Sequence, residues 1–333
     1  QQGFAIDRIH FQIYESFDVA LQAFQSGGVD GLAARNRNER RILRQVNGTL
    51  HSALEPTVGM LIFNWVDDDV AFFREQRVRQ ALEVGLNRAQ IIERHLSNLA
   101  VAANSPLLPG SWAYVDIGTT PYNPDLARQL LATANIPQPE DETDTAETDE
   151  QDTLVEEAGN QPSSEALLTF SLLIPDDESL RAIANEIQAQ WALYGVDVQL
   201  DVQNETTYQE RLSSAEFDAA IVELSLGGSA DPDVYMFWDQ GQFPDGKNYG
   251  GVDDRGISEW LERARRDPNG LNRVVHYANF QREFAERSIA IPLYYPLFSY
   301  ITAPHIENVQ LPRLMSRPAD RFLTLQDWTL TAN

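Results

Sequence analysis

The stretch VRQALEVGLNRAQIIERHL, residues 78–96, predicts two short helices that meet at a corner. Apolar residues recur at helical spacing before Asn87 and again after it. Asn87 can accept a hydrogen bond from a free N–H group in the first turn of a new helix, and Gln90 can reach back to complete a capping box. One bent helix fits the apolar spacing almost as well, so the corner depends on support from the rest of the chain.

Strand and helix patterns alternate on both sides of this stretch. Apolar alternation or a continuous apolar run predicts strands at residues 6–14, 58–66, 167–174, 196–202, 217–224 and 289–301. Helical spacing, with asparagine, proline or glycine at several of the ends, predicts further helices within residues 16–28, 122–135, 179–195, 207–214, 256–266 and 273–287. Strands that alternate with helices of this length indicate a parallel or mixed sheet with helices on both faces.

The loop SLGGSADPD, residues 225–233, directly follows one of the predicted strands. In α/β sheets, ligands bind at the carboxyl ends of the strands. The sequence therefore predicts a functional edge at this loop. The two glycines inside the loop also permit a turn with positive φ, which is the alternative interpretation.

The composition of the chain argues against several kinds of binding partner and metal site. The chain has 333 residues, of which 43% are hydrophobic, enough for a sizeable core and more than one lobe. A net charge of −25 repels nucleic acid and anionic membrane surfaces, so we expect neither as a partner. The sequence contains no cysteine, and no apolar run reaches the ~18 residues that span a bilayer. Its five histidines lack the spacing of a zinc site, and we expect neither a metal nor a cofactor.

An acidic segment interrupts the pattern, because residues 140–157 hold ten carboxylates and no basic residue. Such a run repels itself and has little apolar surface to bury. We therefore expect a solvated, mobile insertion at about residues 138–163, away from the functional edge. Calcium binding is the alternative, although the Asp-x-Asp-x-Asp-Gly ligand spacing is absent.

Several separated segments resemble one family, the peptide/nickel class (family 5) of extracellular solute-binding proteins that serve ABC transporters. They occur in the order of the family and cover nearly the whole chain apart from the acidic segment. They are IDRIHFQIY…ALQAFQSGGVDGL, VGMLIFNWV, VRQALEVGLNRAQIIERHL, SPLLPGSWAY, YNPDLARQLLATANI, IANEIQAQWALYGVDVQL, FDAAIVEL…DPD and NYGGVDD. In this family the third segment is a helix pair with a capped corner, and Asn87-Arg88 fits that pattern.

The resemblance implies a two-lobed α/β fold, similar to the type II periplasmic binding proteins. By the layout of the family, residues 1–57 and 303–333 belong to a partial first lobe and residues 58–302 to a second, C-terminal lobe with a mixed sheet flanked by helices. The chain would cross between the lobes near residues 59–64 and 295–302. Proteins of this family are longer, so we expect this chain to be a C-terminal portion.

The resemblance also places candidate ligand residues in the loop 225–233. Peptide binders of the family carry an aromatic residue there and, three residues later, an aspartate that pairs with the amino group of the peptide. Here these positions are Ser225 and Gly228. A carboxylate opposite an ammonium is a strong contact, so its absence argues against an ordinary peptide with a free amino terminus. Ser229 and Asp231 are further candidates, with turn formation as the alternative, and Asp231 resembles the structural Asp-Pro of the family.

Four more residues are candidates for the lining of the cleft. Trp112 and Tyr114 lie in a loop punctuated by proline and glycine, and aromatic rings beside a cleft stack on apolar or sugar faces. A role in packing is the alternative for both. Asn248 and Tyr249 match the NY segment that follows the binding loop in the family, where lining the cleft and bracing the loop are equally open.

The resemblance implies an extracytoplasmic bacterial protein, periplasmic or a lipoprotein at the cell surface, that binds a solute without catalysis. We expect a monomer that closes on a peptide-like or sugar solute and presents it to an ABC permease in the membrane. A ligand-sensing module of a regulatory protein is the alternative. An enzyme is a further hypothesis, but the Gly-x-Ser-x-Gly, His-Glu-x-x-His and Gly-x-x-x-x-Gly-Lys motifs are all absent.

Overall fold

The computed structural model describes residues 5–136, 166–227 and 231–331. The acidic segment predicted at about residues 138–163 lies outside the described residues. The α-helices of the described residues are α1 (Phe17–Gln25), α2 (Arg37–Leu43), α3 (Gln76–Val84), α4 (Arg88–His95), α5 (Pro124–Thr133), α6 (Glu178–Ala192), α7 (Glu205–Ser214), α8 (Tyr235–Trp238), α9 (Arg255–Arg266) and α10 (Gly270–Glu286). Its strands are β1 (Gly31–Ala33), β2 (Thr49–Leu54), β3 (Thr57–Phe63), β4 (Ala100–Ala102), β5 (Leu168–Pro175), β6 (Val196–Gln203), β7 (Ala219–Ser225), β8 (Ile291–Thr302), β9 (Ile306–Glu307) and β10 (Thr329–Leu330).

The main sheet is mixed and runs in the order β1-β8-β3-β7-β5-β6, while β2 and β4 also pair with β8. Strand β5 is parallel to β6 and to β7, and β3 is antiparallel to β7 and β8. Successive side chains of a strand point to opposite faces, so Leu172 enters one hydrophobic core and Leu173 the other. Trp191 of α6 lies in the first core and Phe280 of α10 in the second. The prediction of a mixed sheet with helices on both faces is confirmed.

Strand β8 is 12 residues long and serves two groups of partners. Its first half pairs with β3 and β4, and its second half pairs with β1 and β2. Smaller apolar clusters surround that second half, one around Tyr300 and Trp328 and another around Leu43 and Ile301. We propose that the chain passes between two lobes along this strand, with residues 1–57 and 303–333 in one lobe and residues 58–302 in the other.

The segment 6–14 is not a strand, contrary to the prediction. Alternating apolar residues form a strand only where a neighbouring strand supplies hydrogen-bond partners, and no strand of the described chain lies beside this segment. Ile13 is 97% exposed and Phe11 is 73% exposed, although Phe11 packs edge-on against Phe322 with ring centroids 5.6 Å apart. The apolar alternation is therefore present in the sequence, but no neighbouring strand in the described chain supplies the hydrogen-bond partners that a strand needs.

The corner at Asn87 is confirmed. Helix α3 ends at Val84, α4 begins at Arg88, and Asn87 Oδ1 accepts a hydrogen bond from the Gln90 N–H at 3.1 Å. The second half of the predicted capping box is wrong, because the Gln90 side chain donates to Glu186 of α6 instead. The Asn87 N–H donates to Gln190 Oε1 at 2.7 Å, so α6 replaces the contact that Gln90 was expected to make.

We expect Asn87→Ala to lower the free energy of unfolding by about 1 kcal/mol, because α4 loses the oxygen that caps its first turn. Urea denaturation followed by circular dichroism measures this change. Asn87→Asp is the matched control, since aspartate caps a helix equally well and should stay within about 0.5 kcal/mol of the parent. Equal stability of Asn87→Ala and the parent would contradict the capping argument.

No helix in the described ranges is long and apolar enough to cross a membrane.

Candidate functional site

The carboxyl ends of β5, β6 and β7 lie at one edge of the sheet because the three strands are parallel. A cavity of ≈ 320 Å³ opens at this edge. Its lining includes Pro175 at the end of β5, Ser225 at the end of β7, and Tyr249 from the loop after α8. The edge predicted from the position of the loop 225–233 therefore borders a concave space large enough for a small ligand.

A charged cluster closes one side of this edge. Arg37, near the start of α2, forms ion pairs with Glu223 of β7 and, at 3.4 Å, with Asp177 after β5. Arg37 Nη2 also donates to the Tyr294 hydroxyl at 3.2 Å, and that hydroxyl donates to Glu223 Oε1 at 3.1 Å. The Arg37 side chain is only 17% exposed, so these contacts form away from most of the solvent.

The protonation states of this cluster are set by its surroundings. Burial lowers the pKa of Arg37, but the oxygens of Tyr294, Glu223 and Asp177 more than offset this and raise it above its ordinary value. Burial raises the pKa of the Tyr294 hydroxyl far above its ordinary value. Arg37 is therefore charged and Tyr294 protonated at neutral pH, which gives the cluster one fixed pattern of donors and acceptors.

Glycine at position 59 allows Tyr294 to reach this cluster. Gly59 of β3 pairs with Tyr294 of β8, and a Cβ atom at position 59 would lie 2.5 Å from the tyrosine ring. The ring occupies the space that any other side chain would fill. The position of the Tyr294 hydroxyl beside Glu223 thus depends on a residue in a different strand.

Tyrosines form another part of the wall. Tyr208 of α7 is buried and donates its hydroxyl to the Ile221 carbonyl at 2.7 Å, and burial raises its pKa above the ordinary value. Burial also raises the pKa of Tyr249, which borders the same cavity. The lining of the cavity combines two neutral tyrosines, an exposed Ser225 and an already paired Glu223 with two further charged side chains, Glu205 and Lys247.

The structure brings two of the predicted site residues together and places others elsewhere. Ser225 and Tyr249 both border the cavity. Gly228 and Ser229 lie outside the described residues. Asp231 is bound by Arg273, whose Nη2 donates to the two carboxylate oxygens at 2.8 and 2.7 Å. The geometry therefore favours a bracing role for Asp231, and its role as a ligand residue stays a prediction.

The aromatic pair from the loop 104–114 packs beside α10. The Arg273 guanidinium lies 5.0 Å from the ring centre of Trp112, and that ring meets Tyr277 edge-on at 5.6 Å. Tyr114 donates its hydroxyl to Asn104 Oδ1 at 3.0 Å. Neither Trp112 nor Tyr114 borders the cavity at the sheet edge, and their stacking on a solute stays a prediction.

Asn248 uses its side chain to brace its own loop. Its Nδ2 donates to the carbonyls of Asp239 and Val252, and its Oδ1 accepts from the Val252 N–H at 2.9 Å. The residue is only 2% exposed. Bracing is thus the observed geometry of Asn248, whereas its neighbour Tyr249 faces the cavity.

Sequence reasoning missed Arg37, Glu223 and Tyr294. One indication was available, since Glu223 is the single charged residue of the apolar strand β7 and lies two positions before the candidate Ser225. A second indication was Asn36, a residue type that begins helices and that directly precedes Arg37 in the sequence. Its Oδ1 caps α2 by accepting a hydrogen bond from the Glu39 N–H at 2.9 Å. The ion pair between Arg37 of α2 and Glu223 of β7 joins residues that are far apart in the sequence, so no local pattern indicates it.

Comparison with known proteins gives a consistent result. The model of the family described as "Bacterial extracellular solute-binding proteins, family 5 Middle" matches residues 2–246. The chain is 23% identical to di/tripeptide-binding protein 1 of Pseudomonas aeruginosa over 86% of its own length and 49% of that protein. It is 30% identical to heme-binding protein A of Haemophilus influenzae over 54% of its own length and 28% of that protein. The chain spans about half the length of the first of these relatives.

Solved structures share the fold. Oligopeptide-binding protein AppA of Bacillus subtilis, in complex with a nonapeptide, superposes with a TM-score of 0.67 at 21% identity over 95% of this chain and 58% of that one. HbpA2 of Haemophilus parasuis superposes with a TM-score of 0.75 at 17% identity over 99% of this chain and 59% of that one. The predicted periplasmic-binding-protein-like fold is confirmed.

Proposed function

This chain belongs to family 5 of the bacterial extracellular solute-binding proteins, and from that premise we propose that it serves as the solute-binding part of an ABC importer. The observation that carries the proposal is the family match over residues 2–246, which includes strands β5 and β7 that contribute to the cavity lining. The relatives named above are binding proteins rather than enzymes. Binding without a chemical step is the corresponding role here, in a monomer outside the cytoplasm that docks on a membrane permease.

The proposed mechanism uses closure of two lobes over a solute at the carboxyl edge of the sheet. A closed cleft excludes water, which strengthens each polar contact with the solute. Arg37 belongs to the proposed first lobe, whereas Glu223 and Asp177 belong to the second. Their ion pairs join the two lobes beside the cavity, so they help to hold the cleft in its closed arrangement.

The charges at this edge favour a solute without a free amino group. The position that resembles the amine-pairing aspartate of peptide binders is Gly228. The nearest carboxylate on β7 is Glu223, and Arg37 already neutralises it. A free ammonium beside β7 would meet a carboxylate that already has a guanidinium partner, so this contact compensates poorly for the hydration that the ammonium loses. We therefore propose a sugar or an amino-blocked peptide as the solute class.

Two alternatives remain distinct from this proposal. A regulatory protein could use the same module to sense a solute, and a domain for DNA binding or signalling joined to it would favour that role. Whether the protein is free in the periplasm or held at the cell surface as a lipoprotein is decided by the complete reading frame, and either arrangement supports import.

We expect this chain to bind trialanine no more tightly than millimolar, because no carboxylate on β7 is free to pair with the peptide ammonium. Isothermal titration calorimetry at pH 7 measures the affinity directly. N-acetyltrialanine is the matched ligand, since it lacks only the charged amino group, and we expect it to bind at least as well. Micromolar binding of trialanine would overturn the proposed solute class.

A further inference from the structure

A second pocket, of ≈ 170 Å³, lies between α2, α4 and the first turn of α6, apart from the cavity at the sheet edge. We call it the arginine pocket. Its lining includes four arginines, one histidine and a serine, which are Arg37, Arg40, Arg41, Arg94, His95 and Ser179. The chain has 25 basic residues in total against 50 acidic ones, so four guanidinium groups around one small pocket are a strong local departure from its composition.

The arginines of the arginine pocket differ in how fully they are paired. Arg40 is held by both oxygens of Glu55 at 2.6 and 2.7 Å, yet its side chain is only 9% exposed and its Nε has no hydrogen-bond partner among the described residues. Arg94 meets Glu186 at a long 3.3 Å and is 58% exposed. Arg41 is exposed and makes no hydrogen bond or ion pair within the described ranges.

The carboxylates around these arginines leave donors available to the pocket. Four of them, Glu55, Asp177, Glu186 and Glu223, pair with Arg40, Arg37 and Arg94, and none of the four is among the lining residues. Only one carboxylate, Glu178, is itself part of the lining. The lining therefore holds four guanidinium groups and one carboxylate, while the carboxylates that pair with these arginines lie outside the lining.

The first turn of α6 adds neutral donors of the same kind. Asp177 caps this 15-residue helix by accepting from the Leu180 N–H, which leaves the N–H groups of Glu178 and Ser179 without an intrahelical acceptor. Ser179 also brings a hydroxyl to the lining. N–H groups at the start of a helix, next to guanidinium groups, form an environment that favours the oxygen atoms of an anion.

We propose that the arginine pocket binds a small oxyanion, of the phosphate or carboxylate class. The volume holds several water molecules, and so has room for an anion of the size of phosphate. Arg41 of α2 and Arg94 of α4 supply charged donors to the lining, and Ser179 of α6 supplies a hydroxyl. Because the lining comes from α2 in one proposed lobe and from α4 and α6 in the other, a bound oxyanion joins elements of the two proposed lobes and stabilises their arrangement.

Thermal unfolding in a titration of inorganic phosphate at pH 7 tests the proposal, with sodium chloride adjusted to keep the ionic strength constant. We expect the midpoint temperature to rise and to saturate, because a ligand that binds only the folded state stabilises it by mass action. Isothermal titration calorimetry with phosphate gives the dissociation constant independently. Constant ionic strength matters, since a chain with a net charge of −25 gains stability from screening by any salt.

Arg41→Gln and Arg94→Gln should each raise the phosphate dissociation constant about tenfold, the effect of one lost charge-assisted hydrogen bond. The Arg41 side chain is exposed and forms no hydrogen bond or ion pair with the described residues, so we expect its variant to keep the parent stability in the absence of phosphate. Arg282→Gln is the matched control, because Arg282 is an exposed arginine on α10 whose side chain forms one hydrogen bond with the described residues, to Asn279. A rise that fails to saturate, or that is equal in Arg41→Gln and Arg282→Gln, would mean an adventitious ion only and would overturn the proposal.

Discussion

Replacing Arg79 with methionine lowers the free energy of unfolding by about 4 kcal/mol, the largest single effect that we expect from this chain. Arg79 is only 3% exposed, and its guanidinium donates four hydrogen bonds to backbone carbonyls. Two of these carbonyls, from Arg287 and Ser288, follow the end of α10, and two, from Phe73 and Arg74, end the 3-10 turn before α3.

The size of the effect follows from what methionine leaves behind. Carbonyls at the end of a helix have no intrahelical donor, so each one that is buried without Arg79 pays its desolvation cost. Burial lowers the pKa of Arg79 to about 10, so the guanidinium remains charged at neutral pH and complements the negative end of α10. Its stacking 4.1 Å from the ring centre of Trp65 would be lost as well.

Arg77→Met on the same helix is the matched control for Arg79→Met. Arg77 is exposed and its side chain donates one hydrogen bond to the described residues, to the Thr133 carbonyl at 2.8 Å, so we expect a change within about 0.5 kcal/mol. Urea denaturation of both variants separates the loss of buried hydrogen bonds from the loss of a positive charge on α3. A decrease below about 1 kcal/mol for Arg79→Met would show that the four carbonyls find other partners.

Local patterns in the sequence predicted most of the sheet and its helices. Strands such as β5 and β7 are largely apolar, because they are covered on both faces, and α5 lies within the predicted range and begins at Pro124 after the capping Asn123. Asn87 identified the corner between α3 and α4 because a cap is a contact within three residues. Information of this range is present in the sequence itself.

Contacts between distant residues could not be predicted in the same way. The alternation in residues 6–14 has no strand beside it in the described chain, and Gln90 turned to Glu186 rather than to its own helix. The pairing of Arg37 with Glu223 depends on how α2 docks on the sheet edge. Local spacing states which residues can cap or alternate, but only the tertiary arrangement selects among competing partners.

The same limit applies to the candidate site. Ser225 and Tyr249 were found because the resemblance to the family assigns them to its binding loop and its NY segment, and both border the cavity. Asp231 and Trp112 had suitable chemistry for a ligand, yet Arg273 lies against both of them. Nothing in the sequence of the loops that carry Asp231 and Trp112 indicates that α10 places an arginine against them.

Glu186 of α6 is the other residue with a large expected effect, and its contribution depends on pH. Burial raises the pKa of Glu186, but hydrogen bonds from Gln190, His95, Gln90 and Arg94 outweigh burial and bring the pKa down to about 2. The ordinary value is 4.5, so the carboxylate contributes about 3 kcal/mol of stability at neutral pH. Because the folded pKa is the lower one, this contribution is complete above pH 4.5 and disappears as the pH falls towards 2.

Glu186→Gln should therefore cost about 3 kcal/mol at pH 7, about half of that at pH 3, and progressively less towards pH 2. The glutamine keeps the size of the side chain and one acceptor oxygen, so the pH dependence of the difference isolates the charge. Urea denaturation of the variant and the parent at pH 7, 5, 4 and 3 measures this difference in stability.

Glu93→Gln is the matched control, because Glu93 is an exposed residue of α4 whose carboxylate has no hydrogen-bond partners of this kind in the described chain. The stability difference between this control and the parent should stay near zero at every pH. If the stability difference between Glu186→Gln and the parent is constant from pH 7 to pH 3, the substitution acts through packing rather than through the charge of the carboxylate. In that case the hydrogen bonds from α4 to Glu186 do not stabilise the docking of α4 on α6.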